Sequence, residues 1–341
     1  MNRVNKLNNP PSFLSYSAVG GYLEGEGPLG RLFDITDGDD TFGKDTFEEA
    51  EGEMGRLAVN TALSKIGFSH KNIDLCVAGD LQNQCVASSM GLASFGIPFL
   101  GVYGACSTCT ESLLIAAAML ECGAAKNILT LTTSHNSAAE RQFRTPLEYG
   151  ALRSPSAQWT ATAAGAFILS TDGTIIDSHK KNGVVIKSFM AGRMIDGSTA
   201  DASNMGGAMC FAAADSVEAF FKETELSEID LIVTGDLGRV GSDILESILS
   251  ERIPTASHRH TDCGLLLYDI KSSDVHSGAS GCGTSASVLS SYFLPLIERG
   301  EVGDILFLST GALMSPSSVL QGNNIFGIAP AIHIGRKNKN A

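Results

Sequence analysis

Two hydrophobic periods alternate along this chain, and together they lay out strands and helices. Continuous apolar runs of strand length fall at Ile73–Leu81, Ile97–Val102, Asn127–Thr133, Ala163–Ser170, Ile229–Leu237 and Asp304–Thr310. Further strand is expected over Ile175–Phe189 and near the end, over Ile325–Ile334. Helical spacing follows Thr46-Phe47-Glu48-Glu49, a capping box, and places Met54, Leu57, Ala58, Thr61 and Ala62 on one face of a helix reaching about Lys65. Ser112–Glu121, rich in Leu, Ala and Met, reads as a buried helix. Ala212–Lys222 and Ser242–Leu249 carry amphipathic helical patterns.

The pattern repeats. Ile73-Asp74-Leu75-Cys76-Val77-Ala78-Gly79-Asp80-Leu81 returns as Ile229-Asp230-Leu231-Ile232-Val233-Thr234-Gly235-Asp236-Leu237 with two positions changed. Cys106–Ser134 returns as Gly283–Gly311: a small-residue turn, an apolar helix, a glycine (Gly123, Gly300), then a strand. In this register Gly283 occupies the place of Cys106. The chain therefore reads as α/β with two similar halves packed as pseudo-twofold partners, about 1–175 and 176–341.

Composition narrows the function. At 341 residues and 43% hydrophobic, the chain is long enough for two packed units. No apolar run approaches the ~18 residues of a bilayer span, and Met1–Tyr16 lacks the form of a signal peptide. A soluble cytoplasmic protein with eight free thiols is the expectation. A net charge of −13 without a basic stripe argues against nucleic acid as a partner. A small anionic ligand would need local arginines, amide N–H groups or a metal ion.

The chemistry centres on Gly104-Ala105-Cys106-Ser107-Thr108. Cys106 is expected on the turn between a buried strand and the N-terminus of a buried helix. A helix dipole contributes up to about 2 kcal/mol there, which lowers a thiol pKa by roughly one unit, so full activation needs a second group such as histidine. Ser134-His135-Asn136 follows the C-terminal end of a strand, where open α/β sheets bind ligands, and leads to Arg141, Arg144, Glu148 and Tyr149. Arg141 and Arg144, three apart, would share a helical face, either as forks for a carboxylate ligand or as partners of Glu140 and Glu148. The Cys106-Ser107-Thr108-Cys109 spacing matches a redox pair, but the duplicated architecture is not that of a thioredoxin. His258, His260, Asp262 and Cys263 fit no standard zinc spacing. The glycine-rich stretch Gly20–Gly30 lacks the context of a phosphate loop and reads as a surface loop.

The Cys106 turn and the duplication resemble the thiolase-like superfamily, in which a cysteine opening a central helix carries the acyl group. Within it, Gly27-Pro28-Leu29-Gly30, Ala78-Gly79-Asp80-Leu81, Ser134-His135-Asn136, Glu140-Arg141-Gln142-Phe143-Arg144, Glu148-Tyr149-Gly150, Asp262-Cys263-Gly264 and Thr310-Gly311-Ala312-Leu313 resemble the stage V sporulation protein AD family. The resemblance implies a layered αβαβα thiolase-like fold. It also implies a non-catalytic role in bacterial sporulation: binding dipicolinate (pyridine-2,6-dicarboxylate), or its calcium chelate, for uptake into the forespore and release at germination. Membrane-embedded subunits of the same channel would be partners, holding the protein at the spore inner membrane, and superfamily precedent implies a homodimer. No resident cofactor is expected beyond calcium within the ligand.

Two departures support loss of catalysis. Initiating ketoacyl synthases place a histidine just after the strand matched by Ile229–Thr234, where this chain has Gly235-Asp236. They also place an asparagine before Thr-Ser-Ala, where this chain has Cys282-Gly283 before Thr284-Ser285-Ala286. The alternative is an acyltransferase using Cys106 as nucleophile. The expected ligand residues are Asp80, Cys106, Ser134, His135, Asn136, Arg141 and Arg144. Asp80 is awkward beside a bare dianion and suits a calcium chelate, or a role in orienting an arginine.

Overall fold

A computed structural model describes residues 2–143, 153–179, 183–271 and 274–337. Ten strands form the body of its main sheet. In chain order they are β1 (Ser12–Gly20), β2 (Leu75–Gly79), β3 (Phe99–Gly101), β4 (Asn127–Ser134), β5 (Ala163–Ser170), β6 (Val184–Met190), β7 (Leu231–Thr234), β8 (His260–Asp262), β9 (Ile305–Leu308) and β10 (Ala331–Arg336). Their spatial order is β3-β2-β4-β5-β1-β6-β10-β9-β7-β8.

That order mirrors itself about its centre. In the first half β3, β2 and β4 are parallel, then β5 and β1 pair antiparallel. In the second half β8, β7 and β9 are parallel, then β10 and β6 pair antiparallel. Along this order the halves join at Ser12 with Val185, and Asn5-Lys6 with Ser188-Phe189 and Trp159-Thr160 with Ala279-Ser280 pair across them as well. The two Gly-Asp echoes seen in the sequence are thus the equivalent strands β2 and β7.

Helices complete five layers. α1 (Phe47–Lys65) packs on the outer side of the first half, its N-cap Thr46 accepting the Glu49 N–H. α2 (Thr108–Glu121) follows Cys106, and α3 (Asn136–Phe143) follows β4. α4 (Met205–Phe221) and α5 (Gly238–Arg252) cover the second half, and α6 (Cys282–Val288) opens the repeat of α2. Three apolar clusters follow this layering. Met54 and Ala58 of α1 pack with Leu129 and Ala166, and Met209 and Val217 of α4 pack with Ile232 and Leu308. Between the halves, Leu113 and Ala117 of α2 join Ala286 and Val288 of α6. Gly165 on β5 brings α6 against the sheet: a Cβ there would lie 2.6 Å from the Ala286 backbone.

Three expectations change. Ile97–Val102 is not a buried strand; β3 is the exposed edge of the sheet, with Phe99 43% and Leu100 40% accessible. Ile175–Phe189 is two elements, a helix over Gly173–His179 and then β6. Within Gly20–Gly30, Tyr22–Glu26 is a short helix whose Glu24 is buried and accepts the Tyr268 hydroxyl.

Candidate functional site around Cys106

Cys106 sits on a turn pinned from three sides. Ser107 Oγ lies 2.7 Å from both the Gly104 carbonyl and Glu111, its single proton shared between them. Thr108 Oγ1 donates to the Ala105 carbonyl at 2.7 Å and accepts the Gly104 N–H at 3.1 Å. Ala105 is held at φ +53°, a left-handed conformation that L-residues other than Asn and Asp seldom adopt. The expected turn is therefore present, and α2 begins at Thr108 rather than Ser112. Ser107 and Thr108 tie down the turn instead of capping the helix through their side chains.

The thiol is 5% exposed and lies against the carboxylate of Asp236, whose pKa it helps to hold down. Asp236 follows β7, the position discussed above for its lack of histidine. It is fully buried, accepts the Gly281 N–H and the Thr310 hydroxyl at 2.9 Å each, and is raised from 3.8 to about 7. Burial is the main cause, and Asp262 adds repulsion. Asp262 is itself held by Thr234 Oγ1 and the Leu237 and Gly238 N–H groups. A thiolate at Cys106 would thus face the Asp236 carboxylate, whose like charge disfavours it, in place of a histidine that would become cationic and stabilise it.

Cys106 opens onto a narrow, solvent-connected cavity with about 420 Å³ of space, open solvent included, of which about 30 Å³ can be occupied by the centre of a water molecule. Its walls are mainly apolar, with Leu81, Phe143, Met205 and Met314, and Glu140 is its carboxylate. Glu140 accepts the Thr160 hydroxyl at 3.1 Å. Among the described lining residues there is no cation.

The other expected site residues are placed differently. Asp80 is fully buried and does not line the cavity; its carboxylate accepts the Gln82 N–H at 2.9 Å and the Ser88 N–H and hydroxyl at 2.8 and 2.6 Å. Those three donors satisfy it without a metal ion or an arginine. Ser134 is a packing link, donating to the Ala161 carbonyl and accepting the Gly283 N–H. His135 turns to the Asp40 carbonyl at 2.9 Å and packs on Phe47, and burial lowers its pKa. Asn136 donates to the Thr160 carbonyl, one residue from the cavity wall. Arg141 points outward, 59% exposed, and pairs with Glu48. Arg144, Glu148 and Tyr149 lie outside the described residues. Of the described members of the expected set, Cys106 alone lines the cavity. In the second cluster His260 bonds Thr234 and Glu246, and no described group of three or more His, Cys, Asp or Glu is placed to hold a metal.

Asp236, Glu140, Phe143 and the two methionines were missed by sequence reasoning. A signal existed for Asp236, because the Gly-Asp repeat puts it in the place that Asp80 holds in the first half.

The family pattern of "Stage V sporulation protein AD (SpoVAD)" matches residues 1–335. The chain belongs to the stage V sporulation protein AD family. The family member from Bacillus subtilis (strain 168) is 39% identical over 321 residues, covering 93% of this chain and 92% of that protein. The fold is thiolase-like. A 3-oxoacyl-[acyl-carrier-protein] synthase III from Aquifex aeolicus VF5 superposes with TM-score 0.56 at 14% identity, covering 94% of this chain and 99% of that one. An OleA from Xanthomonas campestris superposes with TM-score 0.60 at 14% identity, covering 97% and 99%. Family membership makes this a sporulation protein. Among the described residues no helix is long and apolar enough to cross a membrane.

Proposed function

We propose that this sporulation protein is a non-catalytic binding protein whose cavity beside Cys106 takes dipicolinate as its calcium chelate. The observation that carries the reading is the Cys106–Asp236 pair. It sets a buried carboxylate against the thiol at the place where ketoacyl synthases carry a histidine. The cavity then offers apolar walls and the Glu140 carboxylate, without a cation among the described lining residues. The described lining thus supplies no countercharge for a bare dianion. The calcium chelate is flat and neutral, and an acidic group near its metal is favourable. This shifts the expected ligand contacts from Asp80 and Arg141 to Glu140, Phe143 and Cys106. A second copy of the chain would pair through the exposed edge strand β3, where Phe99, Leu100 and Tyr103 present apolar surface. Membrane-embedded partner subunits would supply the route to the spore inner membrane.

The test is calorimetric titration of dipicolinate into the full chain, with and without calcium, repeated on Glu140→Gln. Saturable heat that requires calcium and weakens at least tenfold in the variant is expected. Calcium-independent binding unaffected by Glu140→Gln would overturn the reading. The rival, acyl transfer, is favoured by the left-handed turn that presents Cys106 to the cavity. A covalent mass increase on Cys106 after incubation with acyl-coenzyme A thioesters would establish it.

A further inference from the structure

A second cavity lies at the opposite end of the second half. Parallel strands β7 and β9 fix the direction. Asp236 and Ala312, at the Cys106 site, follow the ends of these strands, whereas Thr224, Glu228 and Asp304 precede their starts. Here about 780 Å³ of solvent-connected space is lined by Lys6, Lys187, Lys337, His333, Thr224 and Glu228, among others.

The chemistry is the reverse of that at Cys106. Lys187 Nζ and His333 Nε2 both contact Asp304 Oδ2 at 2.6 Å, so one carboxylate fixes two nitrogen groups at the wall. An ammonium has three donors, and Asp304 takes one from Lys187. Lys6 and Lys337 are exposed, with no ion pair to a described residue. The opposing charge on the lining is Glu228, which is itself exposed. An independent observation points to a ligand. Thr224 is 93% buried by its 7% accessibility, it lines this cavity, and its hydroxyl has no hydrogen-bond partner among the described residues. A buried hydroxyl without a partner is costly unless something fills its place. On a chain of net charge −13, three lysines converging on one hollow are a local reversal of sign.

We infer that this cavity is a second binding site, for a doubly charged oxyanion of the phosphate class. Lysines 6, 187 and 337 supply charge, and Thr224 and Ser188 supply hydroxyl donors. The oxyanion is either a free phosphate or the phosphate of an anionic lipid headgroup, since both present the same group to the same donors. The inference does not depend on the ligand proposed for the Cys106 cavity.

Inorganic phosphate is the probe, added to the full chain with ionic strength held constant by chloride. A saturable rise in melting temperature is expected. Lys6→Glu with Lys337→Glu should weaken the apparent affinity at least tenfold, and Thr224→Val several-fold. Cys106→Ala should leave it unchanged, which separates this site from the first. Because Lys6 and Lys337 are exposed, the double variant should fold as the parent does, checked by its melting temperature in chloride. Cosedimentation with phosphatidylglycerol vesicles, against phosphatidylcholine alone, identifies the source. Binding that phosphate competes away and the double variant loses assigns a lipid headgroup; phosphate binding without vesicle binding assigns a soluble anion. Absence of a saturable phosphate effect, or an effect that survives the double substitution, would overturn the inference.

Discussion

Glu51→Gln tests whether the folded chain carries a proton in its interior at neutral pH. Glu51 is fully buried on α1. One of its oxygens accepts Thr133 Oγ1 at 2.9 Å and the other accepts Gln82 Nε2 at 2.7 Å. The same Gln82 gives its backbone N–H to Asp80, which also receives both donors of Ser88. Asp80 thus has three donors and Glu51 two, so the proton of this pair rests on Glu51. Burial first, and repulsion from Asp80 second, raise Glu51 from 4.5 to about 8. A carboxyl raised by folding contributes its full stability below its unfolded value, and that contribution is lost as pH climbs toward the folded value. At about 1.4 kcal/mol per pH unit, the interval from 4.5 to about 8 amounts to up to about 5 kcal/mol. Glutamine keeps the volume and does not ionise, and a rotation of the Gln82 amide restores a donor–acceptor pair. Glu51→Gln should therefore be near neutral at pH 5 and strongly stabilising at pH 8.5. Urea unfolding at the two pH values, at constant m, measures the difference. An equal change in midpoint at both pH values would refute the reasoning, because it would mean that Glu51 does not titrate differently in the folded state.

Three further outcomes are expected. Iodoacetamide at pH 7.5 should modify exposed Cys122 well before Cys106; Asp236→Asn, which removes the facing carboxylate, should speed Cys106 labelling several-fold, as read by peptide mass, and no acceleration would deny the pair its role. Leu113→Ala, in the fully buried layer between the halves, should cost about 3 kcal/mol in urea unfolding, and a loss under about 1 kcal/mol would show that the layer collapses around the gap. Gly165→Ala should cost about 1–3 kcal/mol by forcing β5 and α6 apart, whereas Gly173→Ala, with open space around its Cβ, should be neutral or mildly stabilising.

Much of the fold is legible because the interior is layered. β5 was readable to the residue, since a strand buried on both faces is a continuous apolar run. The Gly-Asp echo and the Cys106–Gly283 register predicted equivalent strands, and the mirrored sheet realises that equivalence. Ile97–Val102 misled because an apolar run reads as a core strand, whereas β3 lies at the exposed edge of the sheet. Ile175–Phe189 misled because an apolar run without clear periodicity cannot separate a helix from a strand. The site was legible where backbone chemistry dictates it, at the Cys106 turn. It was not legible where side-chain direction decides. Arg141 is on the helix as expected, yet the side of α3 that carries it faces Glu48, while Ala139, Glu140 and Phe143 face the cavity.

The two halves also show why the chemistry stays on one side of the molecule. Gly283 stands in the register of Cys106, but a Cβ there would lie 2.2 Å from the Ala163 carbonyl and 2.6 Å from Ser134 Oγ. The second half has closed over its own turn, using Ser134 and the Cys282 thiol, which donates to the Thr133 carbonyl at 2.9 Å. Of the two equivalent turns, that of Cys106 is the one that opens onto a cavity among the described residues. There the acid inherited at the end of β7 is turned onto the thiol, while its counterpart Asp80 is absorbed by Gln82 and Ser88. The same duplicated Gly-Asp unit therefore fixes a loop in one half and occupies the nucleophile in the other. Restoring a base would not be a matter of Asp236→His alone, because the imidazolium would still need the Thr310 and Gly281 donors, now aimed at a carboxylate, to find other acceptors.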